Sequence, residues 1–234
     1  MATLNRQYVE MKKHTNLVNL LSDIYTDKSN NSLFPTAISH EEGVFIRNQI
    51  EKIKPKNLIE IGLGHAITSL WIQSSMRPPQ THIIIDPQPS KSALKKINTY
   101  TRSEIKKTTS QIYLASLLQE QNNGQIDCIV MDGDERFDGF TVDMYFALKI
   151  LKKGGIIIAR NVWNPSVTKS LMFFVKNTPI KLQLATNWEN QIVTNMPLIG
   201  SSILKLICKS RSNGLCILVK TDQDKRRWNH YVDF

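Results

Sequence analysis

The stretch Asn57-Leu-Ile-Glu-Ile-Gly-Leu-Gly-His-Ala-Ile-Thr68 predicts a short apolar strand, a turn through Gly62 and Gly64, and the start of a helix. A glycine-rich turn at the carboxyl end of the first strand of an α/β sheet lets the backbone approach a nucleotide-like ligand. The helix that follows presents free backbone N–H groups to the same ligand. The stretch therefore predicts a ligand-binding crevice at the edge of an α/β sheet.

Glu60, placed just before these glycines, distinguishes between possible ligands. A carboxylate repels the phosphates of a dinucleotide, whereas it suits the ammonium and sulfonium charges of S-adenosylmethionine (SAM). The glycine pattern alone is a weak signal, because Ala66 replaces the third glycine of a dinucleotide fingerprint. Glu60 therefore favours a methyltransferase over a NAD-linked oxidoreductase, which stays as a weaker alternative.

The rest of the chain alternates predicted helices and strands. A capping-box pattern at Ser39-His-Glu-Glu42 opens one of the helices. Continuous apolar strands between amphipathic helices are typical of a parallel sheet covered on both faces. We expect a doubly wound, mostly parallel, Rossmann-like α/β sheet with helices on both faces. The predicted helices span about 4–25, 39–53, 68–75, 90–101, 114–121, 140–151 and 168–176, and the strands 57–61, 82–85, 105–109, 127–131, 156–159, 180–186, 190–194 and 215–220.

The length of 234 residues fits one domain. We expect a single domain over residues 1–234, with residues 1–40 as an N-terminal helical cap and residues 163–215 as a possible lid over the acceptor. Loops and appendages of this kind are where such folds vary their substrate. Large apolar side chains available to cover a pocket, or else to pack in the core, are Trp163, Trp188, Met196 and Trp228.

Charge, hydropathy and cysteine content limit which binding partners and which cellular compartment we expect. The net charge of +10 is spread along the chain rather than gathered in one tract, which disfavours nucleic acid and fits solvated faces or steering of an anionic substrate. No apolar run approaches the roughly 18 residues of a membrane span, and the N-terminus lacks a signal-peptide core. Three cysteines, Cys128, Cys208 and Cys216, show no metal-type spacing. We expect a reduced, cytoplasmic chain without a membrane partner.

Four predicted strands carry polar groups at or near their carboxyl ends: Glu60, Asp86, Asp132 and the pair Arg160-Asn161. Ligands of open α/β sheets bind outside these ends, so the groups should converge on one crevice. Asp86 is placed to accept both hydroxyls of a ribose. Helix capping, turn formation or an acidic surface turn would each explain one of these residues without a ligand.

Taken together, these motifs resemble the class I SAM-dependent methyltransferases. The resemblance runs from about Ile38 to the C-terminus and is closest to a small bacterial and fungal group, distantly similar to the catechol O-methyltransferases. The segments that carry it are Ile38-Ser-His-Glu-Glu-Gly43, Glu60-Ile-Gly62, His82-Ile-Ile-Ile-Asp-Pro87, Asp132-Gly-Asp-Glu-Arg-Phe-Asp138, Leu151-Lys-Lys-Gly-Gly155, Trp163-Asn-Pro-Ser166 and Arg227-Trp-Asn-His-Tyr-Val-Asp-Phe234.

The resemblance implies SAM as the cofactor and gives roles to several residues. Glu60 would support the methionine end of SAM through the turn at Gly62 and Gly64, and Asp86 would hold the ribose. Ser110 and Gln111 match the adenine-side Ser-Gln pair of the catechol enzymes, and Asp132 would border the cofactor.

Two departures from the family pattern bear on the chemistry. Metal-dependent relatives bind magnesium through the aspartate matching Asp132 and an acid at the end of the fifth strand, where this chain has Arg160. Losing a hard oxygen ligand and gaining a guanidinium should weaken Mg²⁺ binding severely, so we expect no catalytic metal. Glu135 stands where the catechol enzymes have their general-base lysine.

Methyl transfer requires alignment of the acceptor and removal of a proton if the acceptor is a hydroxyl. Glu135 is the best candidate base, although a surface acid would look the same. His65 is a second candidate, or a ring that stacks near the cofactor. Arg136 and Arg160 could orient an anionic acceptor.

We therefore expect a SAM-dependent methyltransferase (EC 2.1.1.-) that acts on a small molecule at a hydroxyl or carboxyl oxygen. A nucleic-acid (RNA) methyltransferase and a catalytically silent SAM-binding protein are the alternatives. The oligomeric state stays open, a homodimer included.

Overall fold

The computed structural model describes residues 2–27, 37–120, 124–186, 192–194 and 214–234. Its helices are α1 (Ala2–Thr26), α2 (His40–Ile53), α3 (Ile67–Gln73), α4 (Lys91–Tyr100), α5 (Ser110–Gln119), α6 (Phe137–Ile150) and α7 (Pro165–Asn177). Its strands are β1 (Asn57–Ile61), β2 (Thr81–Ile85), β3 (Glu104–Lys106), β4 (Ile126–Met131), β5 (Leu151–Ala159), β6 (Ile180–Thr186), β7 (Ile192–Thr194) and β8 (Cys216–Lys220).

The described strands form one sheet in the order β3-β2-β1-β4-β5-β8-β6-β7. Strands β1 to β5 pair in parallel. Strand β8 is antiparallel to β5 and to β6, and β7 is antiparallel to β6. Strand order reverses between β1 and β4, and the crevice beside such a switch point is where open α/β sheets bind ligands. The predicted mostly parallel, Rossmann-like fold is confirmed.

Helices cover both faces of the sheet. On one face α2 packs on α3, and α1 packs on α3 and α4. On the other face α5 packs on α6 and α6 on α7. Alternate side chains of β1 enter different cores, since Leu58 joins the cluster under α1–α3 while Ile59 and Ile61 join the cluster under α5–α7.

The N-terminus of α2 follows the sequence prediction closely. The Ser39 hydroxyl accepts a hydrogen bond from the backbone N–H of Glu42, and the Glu42 carboxylate accepts one from the backbone N–H of Ser39. This reciprocal capping box fixes where α2 begins. It also buries the Glu42 carboxylate, whose further contacts matter at the candidate site.

Several element boundaries differ from the sequence prediction by three residues or more; α7, for example, begins at Pro165 rather than near residue 168. Helix α5 begins at Ser110 rather than near residue 114, and α6 begins at Phe137 rather than near residue 140. In both cases a residue in extended conformation ends the preceding loop. Helix α5 then starts with Ser110 and Gln111, and the first turn of α6 contains Asp138 and Gly139, which an apolar-periodicity argument does not count. Leu151 ends α6 in an extended conformation and pairs with Ile126, with a register shift before the rest of β5.

Two of the cysteines, Cys128 and Cys216, are buried free thiols. Burial raises the pKa of both thiols, so they stay protonated and unreactive. Cys208 lies outside the described residues. Within the described part of the chain, no helix has the length and apolar composition needed to cross a membrane.

The turn after β1 is shaped by close backbone approach. Gly62 has φ +90°, and a Cβ atom there would lie 2.2 Å from the carbonyl oxygen of Asp132 at the end of β4. Gly64 has φ +49°, but a Cβ atom there would meet nothing within 4 Å. Gly64 therefore borders open space in the turn after β1. Ala66, the residue before α3, is fully buried. It adopts a left-handed conformation with φ 67° despite its methyl group.

Substitutions of Gly62 and Gly64 distinguish backbone strain, which affects both positions, from a steric clash with Asp132, which affects only Gly62. Gly64→Ala should lower the free energy of unfolding by about 1–2 kcal/mol, the cost of a left-handed residue. Gly62→Ala should cost about 3 kcal/mol or more, because the backbone of Asp132 must also move. Urea denaturation of the two variants provides the comparison. Equal losses would mean that the approach of β1 to β4 is not a constraint.

Candidate functional site

Polar groups from four strands meet at the carboxyl edge of the sheet. The backbone N–H of Gly62 donates to the carbonyl oxygen of Ile85 at 2.9 Å, and that of Asp132 donates to Ile61 at 2.9 Å. The backbone N–H of Arg160 donates to Met131 at 3.1 Å. These bonds place the ends of β1, β2, β4 and β5 side by side, as the sequence analysis expected.

Asp86 ties the end of β2 to the glycine turn. Its Oδ2 accepts a hydrogen bond from the backbone N–H of Leu63 at 2.9 Å, and its Oδ1 accepts one from Gln88 at 2.8 Å. The side chain is half-buried. Each carboxylate oxygen can accept a further hydrogen bond, so Asp86 can still receive two hydroxyl groups from the crevice.

Glu60 lies beneath the turn rather than in the crevice. Its side chain has no exposed surface, and Oε2 accepts hydrogen bonds from Ser69 Oγ at 2.7 Å and His82 Nε2 at 2.9 Å. Burial raises the pKa of Glu60, while the bonds from His82 and Ser69 lower it. Its Oε1 is buried without a partner among the described residues. The bonds to Ser69 and His82 use only Oε2, so they hold Glu60 in place and leave Oε1 without a bond to them.

His82 was missed as a site residue by the sequence analysis. Its ring is buried, and Nδ1 lies 2.7 Å from Ser103 Oγ and 3.1 Å from Gln73 Nε2. Since Nε2 faces a carboxylate, it carries the proton, and Nδ1 accepts from the two donors. A signal exists in the sequence, because His82 shares a face of the sheet with Glu60 once β1 and β2 pair in parallel.

The buried guanidinium of Arg160, at the end of β5, connects the end of β4 with helix α2. Arg160 Nη1 donates to both carboxylate oxygens of Asp132 at 2.6 Å, and Nη2 lies 3.7 Å from Glu42 Oε2. Arg160 is 4% exposed and Glu42 is fully buried. Thr68 Oγ1 adds a longer bond of 3.3 Å to Asp132. Burial protects this ion cluster from solvent screening.

Burial and the charged partners act in opposite directions on the pKa values of this cluster. Burial raises the pKa of Asp132, while the Arg160 guanidinium lowers it. Burial lowers the pKa of Arg160, yet the Asp132 and Glu42 carboxylates reverse this and raise it overall. Because Arg160 stays charged and buried, it is not available to bind an anionic acceptor. The sequence analysis had considered that role for it.

The same geometry tests whether the residues fit a magnesium ion. Both oxygens of Asp132 accept from Arg160, so a cation already lies where a metal ion bound to Asp132 would have to approach. Among the described residues, no cluster of three or more His, Cys, Asp and Glu side chains could hold a metal ion. Mg²⁺ prefers several oxygen ligands and no neighbouring cation, so this donor set does not fit it.

Glu135 is held by two amides. Its Oε1 accepts a hydrogen bond from Asn161 Nδ2, and its Oε2 accepts one from Asn164 Nδ2 at 3.0 Å. Glu135 is half-buried, so it keeps partial access to solvent. Asn161 adopts φ 55°, a left-handed conformation that asparagine tolerates better than most residues. Glu135 is therefore oriented by the loop between β5 and α7.

Asn164 was also missed by the sequence analysis. Its Oδ1 caps α7 by accepting from the backbone N–H of Ser166 at 3.1 Å, which leaves its Nδ2 for Glu135. The signal was present in the Asn164-Pro-Ser pattern, because asparagine before a proline is typical of a helix N-terminus.

Ser110 and Gln111 lie in the first turn of α5, next to α6. Gln111 Nε2 donates to Asp143 Oδ1 at 3.0 Å. Burial raises the pKa of Asp143 to about 6, although hydrogen bonds from Ser110 and Gln111 oppose this. One N–H of the Gln111 amide is used by Asp143, which leaves its carbonyl oxygen and its second N–H for a ligand.

The other predicted site residues have less defined roles. His65 is half-buried in the turn, and its carbonyl oxygen accepts a hydrogen bond from Lys96 Nζ at 3.1 Å. Arg136 is exposed and pairs with Asp134 at 2.6 Å. Trp228 is 97% exposed, and Trp163 is half-buried. Trp188 and Met196 lie outside the described residues, as does most of the predicted lid beyond β6.

Solved structures share this architecture. An O-methyltransferase from Bacillus cereus, in complex with S-adenosylhomocysteine (SAH), is 15% identical with a TM-score of 0.59, covering 92% of this chain and 96% of its own. TomG from Streptomyces achromogenes, involved in tomaymycin synthesis and in complex with SAM, is 15% identical with a TM-score of 0.60, covering 86% and 89%. SAH-bound PaMTH1 of Podospora anserina is 17% identical with a TM-score of 0.60, covering 95% and 97%.

At these identities the likeness shows the fold. No curated protein sequence matches the chain significantly. Residues 10–189, more than half of the chain, match the model of the O-methyltransferase family. This match and the fold confirm the class I SAM-dependent methyltransferase that the sequence motifs predicted. The chain belongs to the O-methyltransferase family.

Proposed function

We propose that this chain transfers the methyl group of SAM to an oxygen atom of a small molecule without a catalytic metal. The proposal is supported by the position of the glycine turn, Asp86 and Glu135 at the same carboxyl edge of the sheet, with open space beside Gly64. Residues 1–234 would act as one domain, with α1 as part of a cap and residues 163–215 as the cover of the acceptor.

The described residues offer contacts for each part of SAM. Asp86 would accept the ribose hydroxyls, since both of its oxygens keep acceptor capacity after bonding Leu63 and Gln88. The carbonyl oxygen of Gln111 would accept from the adenine amino group. Gly64 leaves open space where a side chain would fill the crevice. The SAM or SAH bound in the Streptomyces and Bacillus structures supports the same cofactor here.

Buried carboxylates favour a cationic ligand over a phosphate. Glu60 lies under the glycine turn and hydrogen-bonds the His82 ring, while Asp132 at the end of β4 shares the single positive charge of Arg160 with Glu42. SAM, when bound, supplies an activated methyl group on a positively charged sulfur. A negative lining attracts that charge, whereas it would repel a pyrophosphate. This supports the choice of SAM over NAD.

Glu135 would remove the proton of the acceptor hydroxyl. The amides of Asn161 and Asn164 hold its two oxygens in place, so the carboxylate does not need to be ordered when the acceptor arrives. The remaining lone pairs of the same oxygens can take the hydroxyl proton. A carboxylate here does the work that a lysine does in the catechol enzymes.

Arg160 would replace a divalent cation as the fixed positive charge of the site. It neutralises Asp132 from within the fold and leaves Glu135 as the carboxylate that faces the acceptor. Alignment and deprotonation are then done by protein groups alone. The acceptor would be held by shape and by Glu135 rather than through a metal.

The cofactor proposal predicts that SAH binds and that NAD does not. Asp86→Ala should weaken SAH binding by at least about tenfold, because two hydroxyl contacts are lost. Isothermal calorimetry gives both affinities. Asp222→Asn, at an exposed acid that pairs with Lys153, should leave SAH affinity unchanged. Absence of SAH binding to the native chain would overturn the proposal.

The proposal that Arg160 takes the place of a metal ion predicts that removing Arg160 can create a metal-binding site. Arg160→Asp should bind Mn²⁺ at least about tenfold more tightly than the native chain, since it adds an oxygen ligand beside Asp132 and removes the cation. Arg160→Met removes the cation without adding a ligand and should bind less Mn²⁺ than Arg160→Asp. Electron paramagnetic resonance of free Mn²⁺ measures both. If the native chain itself binds Mn²⁺ in this crevice, Arg160 does not stand in for a metal, whether or not the variants fold.

The proposed base predicts a specific pattern of kinetics. With any phenol or other hydroxyl compound that the chain methylates, Glu135→Gln should lower kcat by about 100-fold, the usual contribution of a general base. SAH affinity should change by less than about twofold, because the amide keeps the shape of the site. Asp134→Asn is the control, since Asp134 pairs with Arg136. Full activity of Glu135→Gln would exclude Glu135 as the base.

A further inference from the structure

We propose that Asp143 of α6 is a positioning residue that makes the cofactor site selective for a 6-aminopurine over a 6-oxopurine. It does so by fixing the orientation of the Gln111 side-chain amide, to which it is hydrogen-bonded. We take the nucleoside end of SAM to lie at Gln111, so this inference rests on the proposed function. It adds to that function a residue that sets which base the site accepts.

Gln111 lies at the same carboxyl edge of the sheet as Asp86. Strand β3 ends at Lys106, whose carbonyl oxygen accepts a hydrogen bond from the backbone N–H of Asp86 at 3.1 Å. Helix α5 begins shortly afterwards at Ser110, and Gln111 is half-buried in its first turn. With the ribose of the cofactor at Asp86, we therefore place its base against the first turn of α5.

Asp143 is a buried acid that neither the ion cluster nor the proposed base explains. It is 1% exposed, and Gln111 Nε2 donates to its Oδ1 at 3.0 Å. The hydroxyl of Ser110 also donates to its carboxylate. Both of these partners are neutral. Other buried acids lie beside an arginine, a histidine or a lysine, namely Glu42, Glu60 and Asp127. A buried carboxylate held by neutral donors is costly, so its hydrogen bonds indicate a specific role.

The charge of Asp143 determines which end of the Gln111 amide faces it. Burial raises the pKa of Asp143 to about 6, so its carboxyl is ionised at about pH 7.5. An ionised carboxylate only accepts hydrogen bonds, so the NH₂ group of Gln111 must face it. The reverse orientation would set a carbonyl oxygen against a carboxylate. The carbonyl oxygen of Gln111 therefore points away from Asp143.

The fixed amide matches adenine and not hypoxanthine. Its carbonyl oxygen can accept from the 6-amino group of adenine while its second N–H donates to the ring nitrogen N7, a pairing that glutamine commonly makes with this base. In hypoxanthine position 6 carries a carbonyl oxygen, which would face the carbonyl oxygen of Gln111. Two acceptors would then oppose each other, and the bond would be lost.

A purely structural role for Asp143 is the alternative. Its bonds to Ser110 and Gln111 join the start of α5 to α6, and Thr109 provides no side-chain cap for α5. Loss of such bonds would lower stability and would affect every ligand of the site alike. The ratio of affinities for the two bases separates the two roles, because only the orientation of the amide distinguishes the bases.

Calorimetry at about pH 7.5 with SAH and with S-inosylhomocysteine, its 6-oxo analogue, tests the selectivity. The native chain should bind SAH at least about tenfold more tightly, since the analogue replaces a hydrogen bond by two opposed acceptors. Asp143→Asn keeps the size of the side chain, but its amide can donate to Gln111 or accept from it. Either orientation of Gln111 is then allowed, and the ratio should fall below about threefold. An unchanged ratio in Asp143→Asn would overturn the proposal.

Thr141→Val is the matched control on the same helix. The Oγ1 atom of Thr141 donates to Ser170 Oγ at 2.9 Å, so this substitution also removes a hydrogen bond of α6, but toward α7. It should leave the ratio at its native value even where it lowers the free energy of unfolding. An equal fall of the ratio in Thr141→Val would mean a general loosening of α6 and would overturn the role of Asp143.

A double-mutant cycle tests whether Asp143 acts through Gln111. Gln111→Met removes the amide and should abolish the selectivity by itself. Adding Asp143→Asn to Gln111→Met should change the ratio by less than about twofold, because the group that Asp143 positions is gone. A larger change would show that Asp143 acts by another route, contrary to the proposal.

The native chain provides a second measurement if Asp143→Asn does not fold. At about pH 5 the carboxyl of Asp143 is below its raised pKa and is protonated, so it can donate to the Gln111 carbonyl oxygen and the amide can turn. The ratio should therefore fall between about pH 7.5 and about pH 5. Asp134, whose charge also acts on Asp143, stays ionised because its bonds to Arg136 lower its pKa. The same ratio at both pH values would overturn the proposal.

SAH binding by itself distinguishes failure of this inference from failure of the proposed function. A native chain that binds SAH and its 6-oxo analogue equally would overturn the selectivity and leave the cofactor proposal intact. Absence of SAH binding would overturn the cofactor proposal, and the role of Asp143 with it.

Discussion

The buried ion cluster of Asp132, Arg160 and Glu42 determines the form of the candidate site. Burying three charged groups is costly, and here the cost is offset by two hydrogen bonds to Asp132 and by a second carboxylate on the same guanidinium. The cluster joins the ends of β4 and β5 to α2. It therefore fixes the loop that begins at Asp132 against the N-terminal half of the chain. Removing one partner would leave an uncompensated buried charge. The ends of the strands, and with them the crevice, therefore depend on this contact.

The proposed proton transfer depends on the different partners of the two acids Asp132 and Glu135. Asp132 is neutralised from behind, while Glu135 is held only by neutral amides from Asn161 and Asn164. One carboxylate thus serves the structure and the other can accept a proton. A metal would have to displace Arg160 from Asp132 before it could bind. The O-methyltransferase family is shown for this chain, and within it this arrangement favours a metal-independent reaction.

Local sequence signals predicted the fold well, because the start and end of a helix or strand depend mainly on residues that are close in sequence. The bounds of β1, the capping box at Ser39 and the bounds of β6 all follow from neighbouring residues. The start of α5 did not, since its first turn is polar. The site was predictable in its strand-end acids but not in its partners. His82 and Glu60 are 22 positions apart, and the contact between Arg160 and Glu42 joins different halves of the chain, so neither leaves a local pattern.

A crystal structure grown with SAH and excess Mg²⁺ tests the central claim most directly. We predict that the ribose of SAH contacts Asp86, that Arg160 remains bonded to Asp132, and that no metal lies beside them. Glu135 should face the space in front of the sulfur. A magnesium ion bound to Asp132, with Arg160 displaced, or SAH bound away from the glycine turn, would contradict the account.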